Sequence, residues 1–343
     1  MTERLLIRLG SMGDVVLATA AANALRDMWG DQCVDVLVKE AWAPLWRNHP
    51  AVRQIHAWRK RPLELYRWAR RLRQIEYAEI IDLQASPRTQ ALLRLSRQHR
   101  SVRRPKRYTV RRRLLVRWHR FGPPRDYRVL DAFVAASGSR APANPSLHPG
   151  VEARAKAARL VPSSRALIGL APGARHETKR WPIQRYIALG RELVAQGNRP
   201  LPVFFGPDED GLHAQWRVHW PGDGTWVPIR EDLEIAAASL GRLRGLVSND
   251  TGLMHMAAAM HTPVIAFFGP TVREFGFAPA GPSHRILEVD GLACRPCTIH
   301  GGSRCPKGHF RCMLDLDVAT VLQHAEELRG DVLGPPAAER GRA

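Results

Sequence analysis

The feature that most constrains the fold is a unit of strand, tight turn, helix and strand within residues 245–271. A polar turn, 248–251, lies between an apolar segment and an Ala- and Met-rich segment, and a second apolar segment follows. The turn leaves the backbone N–H groups of Gly252 and Leu253 without helical partners, and such a helix start attracts phosphate or another anion. Capped turns of this kind also occur without a ligand. His255, in the first helical turn, fits either a ligand contact or a buried structural histidine.

The same order of elements opens the chain. Residues 5–9 predict a buried strand, and the turn that follows leads into a predicted helix at 15–25. Gly10 and Gly13 give only G-x-x-G, so binding of NAD is weakly supported. From the residues alone, Asp14 is simply a favourable charge near the positive end of a helix. Further strands are predicted at 34–38, 79–83, 166–171 and 201–205.

The alternation of strands and helices predicts an α/β fold with two Rossmann-like domains that face each other across a cleft. Residues 137–149 are rich in Ser, Gly, Pro, Ala and Asn, and we interpret them as the linker. The predicted domains are therefore 1–150 and 151–330, and 331–343 is predicted to be a disordered tail. Ligands of such folds bind at the carboxyl ends of the strands.

The formal charge of the 343-residue chain is +20, and basic residues crowd between Arg53 and Arg128. Such a surface favours a polyanionic partner, which includes nucleic acid, anionic lipid headgroups and acidic substrates. An Arg-rich composition from coding bias explains part of the excess equally well. Residues 97–126 are basic, aromatic and poorly periodic, and there we expect loops and short helices on which a polyanion docks.

The sequence contains no apolar stretch long enough to span a membrane, and residues 1–4 do not start a signal peptide. The expected location is therefore the cytoplasm.

Four cysteines lie close together near the end of the chain, and a fifth, Cys33, stands apart. In a cytosolic protein this pattern favours a metal site over disulfides, although reduced thiols packed in a loop are an alternative. Four thiolates suit tetrahedral zinc or a single iron, and such a metal would be structural because no ligand position stays open. The cluster is Cys294, Cys297, Cys305 and Cys312, within a loop at 294–312.

Four motifs together resemble glycosyltransferase family 9, the ADP-heptose-dependent heptosyltransferases of lipopolysaccharide core assembly. They occur in the order of the family and span both halves of the chain. The matching segments are 8–16, 171–182, 248–258 and 268–271. The resemblance implies a GT-B fold in which the N-terminal domain receives the acceptor and the C-terminal domain holds the nucleotide-sugar. It also implies an inverting transfer of heptose to a hydroxyl of an anionic acceptor, with the lipopolysaccharide inner core as the expected acceptor.

The resemblance assigns roles to individual residues. Asp14 matches the general base, and Ser11 and Gly13 lie beside it on the acceptor side. Lys179 matches a lysine that contacts the diphosphate, although a solvated loop charge is the plain alternative. The remaining donor-binding candidates are Asp250, Thr251, Gly252, Leu253 and His255, together with Asp208 and Glu209, which helix-end charge explains as well. The lysine loop lacks the adjacent hydroxyls that some members have before the lysine.

The basic surface then fits an acceptor of the phosphorylated lipid A–Kdo type, or another anionic glycan, presented at the inner face of the cytoplasmic membrane. We therefore expect a peripheral protein with transient contact to that membrane and no nucleic-acid partner. The acceptor candidates are Arg59, Lys60, Arg61, Arg104 and Arg107, with Lys106, Arg111, Arg112 and Arg113 in the same clusters. Surface arginines often have no such role.

Three alternatives stay open. The acceptor could be a protein, since a comparable four-cysteine set in a protein-modifying branch of the family resembles an iron site. The donor could be a different nucleotide-sugar, or the chain could use NAD. A basic nucleic-acid-binding protein with a metal knuckle is the alternative from another class. We expect no cofactor to be required for catalysis, and zinc or iron only as a structural metal.

Overall fold

Two parallel β-sheets organise the chain, one built from residues before 104 and the other from residues after 167. The computed structural model describes residues 4–98, 101–162, 166–206, 208–220, 226–230, 232–281 and 283–330. The predicted disordered tail, 331–343, lies outside the described residues.

The first sheet has five parallel strands in the spatial order β3-β2-β1-β4-β5. Its strands are β1 (Arg4–Ile7), β2 (Val34–Lys39), β3 (Val52–Trp58), β4 (Glu79–Asp82) and β5 (Val102–Arg103). The strand order reverses at β1, which pairs with β2 on one side and β4 on the other. Ligands of doubly wound sheets bind at such a reversal, and the segment that follows β1 contains Asp14.

The second sheet has six parallel strands in the order β11-β10-β9-β6-β7-β8. Its strands are β6 (Ile168–Ala171), β7 (Leu201–Phe204), β8 (Trp226–Ile229), β9 (Gly245–Asn249), β10 (Val264–Phe267) and β11 (Arg285–Leu287). Here the order reverses between β6 and β9, which are directly paired. The loops that follow these two strands contain Lys179 and Asp250, so both residues lie at the reversal point of this sheet.

Helices connect the strands. They are α1 (Met12–Trp29), α2 (Glu64–Leu72), α3 (Pro87–Leu95), α4 (Thr109–Trp118), α5 (Val129–Ala136), α6 (Val151–Leu160), α7 (Ile183–Ala195), α8 (Asp210–His219), α9 (Leu233–Leu240), α10 (Gly252–Ala259), α11 (Arg311–Leu314) and α12 (Val318–Gly330). Short 3₁₀ helices occur at Glu40–Trp46, Glu177–Lys179 and Arg273–Phe275. A Pro at position 44 removes a backbone donor, which fits a 3₁₀ helix at 40–46 rather than an α-helix.

The apolar faces of α1 and α10 pack against each other, so the two halves share part of their core. Buried residues of both helices belong to a single apolar cluster that also contains residues from both sheets. Small side chains such as Ala20 and Ala257 are fully buried in it and allow the helices to approach closely. The N-termini of α1 and α10 therefore meet at the boundary between the halves.

The predicted α/β class with two Rossmann-like halves is confirmed. None of the helices within the described residues combines the length and the apolar character that crossing a bilayer requires.

Candidate functional site

Asp14 lies in the first turn of α1 and is held by two neighbours. Arg8 Nη2 lies 2.7 Å from Asp14 Oδ2. The hydroxyl of Ser11 donates a 2.8 Å hydrogen bond to the same oxygen, and the Ser11 backbone N–H donates another at 3.2 Å. Burial alone would raise the pKa of Asp14, but Arg8 and Ser11 outweigh it and hold the pKa below its usual value. The carboxylate is therefore ionised at neutral pH, with 16% of its side chain exposed.

Arg8 is the residue that orients Asp14, and the sequence analysis gave it no role. Its Nη1 donates a 2.7 Å hydrogen bond to the carbonyl of Leu83, and its guanidinium lies 5.3 Å from the centre of the Phe133 ring. The side chain is only 8% exposed, and a buried guanidinium requires a paired charge. The signal in the sequence was an arginine at the end of an otherwise apolar strand.

On the other side of the boundary, Lys179 and Asp250 form an ion pair. Lys179 Nζ lies 2.5 Å from Asp250 Oδ2, and the hydroxyl of Thr271 donates a 2.8 Å hydrogen bond to the same oxygen. The lysine and aspartate side chains are 14% and 10% exposed. Three loops at the carboxyl ends of β6, β9 and β10 therefore converge on one carboxylate. Thr271 was part of a quoted motif but received no role in the sequence analysis.

Asn249, which is fully buried at the end of β9, ties the lysine loop to this position. Its Nδ2 donates hydrogen bonds of 2.9 and 3.0 Å to the carbonyls of Pro172 and Gly173, and its Oδ1 accepts one from the backbone of Trp181 at 3.0 Å. These bonds span the loop that carries Lys179. Asn249 therefore positions the lysine, a role that only the pairing of β6 with β9 reveals.

Helix α10 begins beside the ion pair, with Thr251 as its N-cap. Thr251, Gly252 and Leu253 are partly exposed, so the first backbone N–H groups of the helix are accessible to an anion. His255 is 4% exposed, and among the described residues its Nδ1 has no hydrogen-bond partner. Burial lowers the pKa of His255 to about 4, against the opposing effect of Asp250 and Asp14. The imidazole is neutral at neutral pH.

The two turns touch. A Cβ atom placed on Gly13 would lie 2.7 Å from His255 Cδ2 and 3.6 Å from the Cα of Gly252. A Cβ atom on Gly252 would lie 2.2 Å from Met12 Cε. The 2.7 Å separation is shorter than a carbon–carbon contact and the His255 ring is buried, so Gly13 has no room for a side chain. At Gly252 the Met12 side chain would have to move. The structure thus brings the predicted base and the predicted anion site together at one place.

Glu209 and Asp208 follow β7 beside the lysine loop. The Glu209 carboxylate accepts a 2.6 Å hydrogen bond from the backbone of Gly206 and lies against Gly173. Burial raises the pKa of Glu209, although Gly206 and Arg180 oppose the shift. Asp208 is exposed. The Glu209 side chain therefore borders the loop that carries Lys179, and it does not contact the ion pair of Lys179 with Asp250.

The basic candidates divide into two groups along the carboxyl edge of the first sheet. Arg59, Lys60 and Arg61 follow the edge strand β3, and Arg59 pairs with Glu40 at 2.8 Å. Arg104 and Arg107 lie beside β4, next to the central strand. Their nitrogens contact Asp82 at 3.5 Å and the carbonyl of Ala85 at 3.0 Å, respectively. The second group is therefore the one adjacent to the strand that leads to Asp14.

The loop that contains the four cysteines packs beside the ion pair of Lys179 and Asp250. Arg295 donates hydrogen bonds to the carbonyls of Phe268, Gly269 and Thr271, at 2.8, 2.6 and 3.2 Å. The carbonyl of Gly302 accepts a 3.1 Å hydrogen bond from the backbone N–H of Thr178, directly before Lys179. The loop therefore holds in place the two segments that contain Thr271 and Lys179. The sequence analysis missed Arg295, because its partners are carbonyl groups that leave no sequence signal.

Within the described residues, no three His, Cys, Asp or Glu side chains lie close enough together to hold a metal ion. Cys294 Sγ lies 3.7 Å from His309 Nε2, and the Cys297 thiol donates to the Cys294 carbonyl. Burial raises the pKa of Cys297 to about 12 and that of Cys312 to about 11. As placed, the thiols do not form a metal site, and the structural zinc or iron stays a prediction.

Comparisons of the sequence with known proteins all identify the same family. A family model described as glycosyltransferase family 9 (heptosyltransferase) matches residues 65–304. Lipopolysaccharide heptosyltransferase 2 of Salmonella typhimurium is 32% identical over 180 residues, which are 48% of this chain and 47% of that protein. The match thus spans about half the length of that relative. Lipopolysaccharide heptosyltransferase 1 of Pseudomonas aeruginosa is 28% identical over 331 residues, which are 91% of this chain and 90% of that protein.

Solved structures show the same fold. The ADP-heptose lipopolysaccharide heptosyltransferase II of E. coli aligns with a TM-score of 0.76 at 18% identity, over 96% of this chain and 99% of that chain. The iron-containing dodecameric glycosyltransferase TibC of enterotoxigenic E. coli aligns with a TM-score of 0.57 at 13% identity, over 96% of this chain and 76% of that chain. At these identities the likeness extends to the fold alone. The predicted arrangement of two Rossmann-like halves, of the GT-B type, is confirmed.

Proposed function

Because the chain belongs to glycosyltransferase family 9, as the four motifs predict, we propose that it is an inverting heptosyltransferase. It transfers heptose from ADP-heptose to a hydroxyl of an anionic acceptor, the lipopolysaccharide inner core. The observation that carries the proposal is the contact between Gly13 and His255, which places the Asp14 carboxylate beside the start of α10. A base and an anion site so close to each other suit a displacement in which a phosphate leaves.

The C-terminal half binds the donor. The diphosphate accepts hydrogen bonds from the free N–H groups at the start of α10 and from Lys179, whose charge remains near the phosphates as they leave. Asp250, which accepts a hydrogen bond from Thr271, holds Lys179 and, in our proposal, also contacts the sugar. The neutral His255 supplies one ring N–H next to the same turn. Glu209, with Asp208, lies on the nucleoside side of the lysine loop.

The N-terminal half binds the acceptor, and Asp14 is the general base. An acceptor oxygen attacks the anomeric carbon, its proton passes to the Asp14 carboxylate, and the bond to the phosphate oxygen breaks with its electron pair leaving on ADP. Attack from the face opposite ADP inverts the anomeric centre. Arg8 and Ser11 keep Asp14 ionised and oriented before the reaction. No metal takes part in these steps.

The basic residues near the central strands attract the phosphates and acidic sugars of the acceptor. Arg104 and Arg107 are the strongest candidates, since they contact Asp82 and the carbonyl of Ala85 at the end of β4, which pairs with β1. Arg59, Lys60 and Arg61 follow β3, which is two strands away from β1. An acceptor with a lipid anchor places the protein at the inner face of the cytoplasmic membrane as a peripheral protein.

A donor-plus-acceptor assay read by mass spectrometry tests the function. We expect the mass of one heptose to be added to a lipid A–Kdo acceptor when ADP-heptose is present, and no addition from a UDP-hexose. If heptose is added to a protein and not to the glycan, the acceptor is a protein and the glycan acceptor is excluded. Tight binding of a short nucleic-acid duplex, with no response to ADP, would replace it by the nucleic-acid alternative.

A further inference from the structure

Helix α4 and the residues that follow it expose an apolar stripe. Val110, Trp118 and Phe121 are 66%, 55% and 69% exposed. Val110, Leu114 and Trp118 are four residues apart, so they lie on one face of the helix. No residue of α4 is buried. A stripe of large apolar side chains on the surface marks a contact with a partner or with lipid.

The opposite face of α4 is fixed to the C-terminal half. Arg112 Nη2 donates a 2.6 Å hydrogen bond to the carbonyl of Phe275, and its guanidinium lies 4.8 Å from the centre of the Phe277 ring. Just past the helix, His119 Nδ1 lies 3.0 Å from the carbonyl of Arg295. These contacts determine the orientation of the helix. The apolar stripe is therefore directed away from the body of the protein.

The charge around the stripe is strongly positive. Residues 83–125 contain 14 Lys and Arg and no Asp or Glu. Arg113, Arg117 and Arg120 are exposed, so their charges face the solvent. An amphipathic helix with this combination of apolar and basic residues lies in the headgroup region of a bilayer that contains acidic lipid.

The same helix borders the reaction site. Arg107, two residues before α4, donates hydrogen bonds to the carbonyls of Gln84 and Ala85, at 3.1 and 3.0 Å. The preceding carbonyl, that of Leu83, accepts a hydrogen bond from Arg8, which pairs with Asp14. A bilayer on the outer face of α4 would therefore adjoin the site where the acceptor hydroxyl reacts. The sugar of a lipid-anchored acceptor could reach Asp14 while its acyl chains remain in the membrane.

We propose that α4, with Trp118 and Phe121, is the element that docks this protein on an acidic phospholipid surface. Trp118, Phe121 and Val110 enter the interface between headgroups and acyl chains, and the arginines contact the lipid phosphates. The inference rests on the proposed function only for the identity of the anchored acceptor. The lipid contact itself requires only the stripe and its charge.

Sedimentation with phospholipid vesicles tests the docking. We expect the full chain to bind vesicles of phosphatidylcholine with phosphatidylglycerol, and to bind pure phosphatidylcholine at least about tenfold more weakly. The double variants Trp118→Ser with Phe121→Ser, and Arg117→Gln with Arg120→Gln, should each lose about tenfold or more in partitioning. The matched controls are Val151→Ser with Val218→Ser and Arg159→Gln with Arg217→Gln, all exposed residues on α6 and α8. These controls should bind like the wild type.

Transfer assays separate this inference from the function. The α4 variants should keep the wild-type rate on a deacylated, water-soluble acceptor and lose rate only on an acylated acceptor in acidic vesicles. Equal binding to both kinds of vesicle, or equal loss in the controls, would overturn the docking surface. Displacement of the protein from acidic vesicles by a nucleic-acid duplex at equal concentration of phosphate groups would also overturn it. Absence of transfer to either acceptor, with vesicle binding intact, would overturn the function alone.

Discussion

Lys179 Nζ lies 2.5 Å from Asp250 Oδ2, at the point where the loops after β6 and β9 meet. The ion pair joins two parts of the chain that are 71 residues apart in sequence. It also keeps the lysine beside the start of α10. In the proposed function, this fixed position lowers the cost of binding a diphosphate.

Lys179→Gln should weaken the binding of ADP by about tenfold to a hundredfold, because a hydrogen bond from a charged group contributes about 1.5–3 kcal/mol. Isothermal titration calorimetry measures the loss. Lys156→Gln, a change of the same chemistry at an exposed position on α6, is the control and should leave the affinity for ADP unchanged. An unchanged affinity in Lys179→Gln would remove the lysine from the donor site.

Arg295→Gln should raise the KM for ADP-heptose by about tenfold while the KM for the acceptor stays near the wild-type value. The reason is that Arg295 holds the carbonyls of Phe268, Gly269 and Thr271, and Thr271 in turn holds Asp250. Arg295 also contacts the carbonyl of Val289 and the carboxylate of Glu288. Glu288 retains an ion pair with Arg273 in the variant. Steady-state kinetics with each substrate varied in turn measures the effect.

The control for Arg295 is Arg311→Gln, which removes an exposed arginine from the same loop and breaks only a surface ion pair with Asp315. It should change neither KM. Equal increases of both KM values in Arg295→Gln would indicate general loosening of the fold instead of positioning of the donor loops.

Gly13→Ala should separate the two turns, because the new methyl group would lie 2.7 Å from His255 Cδ2. We expect slower transfer with nearly unchanged affinity for ADP, and a free energy of unfolding lowered by about 1–3 kcal/mol. Gly211→Ala is the matched control, since nothing lies within 4 Å of the added atom on α8. Denaturant titration should show that Gly211→Ala is as stable as the wild type or more stable.

The buried His255 should make the fold less stable in acid. Burial lowers its pKa from 6.5 to about 4, so between these pH values the unfolded chain binds a proton that the folded chain does not. Stability contributed in this way is present above pH 6.5 and falls as the pH decreases, by up to about 1.4 kcal/mol per pH unit. His255→Gln removes the contribution, so the decrease in Tm on acidification should be smaller than in the wild type. An identical decrease would show that His255 is not buried in its neutral form.

The sequence predicted the units around Asp14 and the 248–255 turn because each is local: an apolar strand, a turn of small residues and a helix follow one another without interruption. Helices α7, which begins directly after Pro182, and α12 are equally local features. Strand β5 has only two residues, which is too short to show the alternation of apolar and polar residues that predicts a strand. Helix α4 was predicted only as part of a region of loops and short helices.

The residues that hold the site in position depend on which strands pair with each other. A local sequence pattern does not predict this pairing. Arg8 reaches the carbonyl of Leu83 only because β1 pairs with β4, and Asn249 reaches Pro172 only because β9 pairs with β6. The family resemblance supplied candidate residues for the chemistry. It included Ser11, which orients Asp14, but it gave no role to Arg8, Asn249 or Arg295, which connect loops through backbone carbonyls.

The most direct test of Asp14 as the general base is single-turnover transfer by the Asp14→Asn variant, measured together with a titration of the variant with ADP. Asparagine keeps the size of the side chain and can still accept from Ser11, but it cannot take the proton of the acceptor hydroxyl. We expect the transfer rate to fall by about a hundredfold or more, as for loss of a general base, while the affinity for ADP is retained. A variant that binds ADP normally and keeps more than about a tenth of the wild-type rate would contradict the assignment of Asp14 as the base.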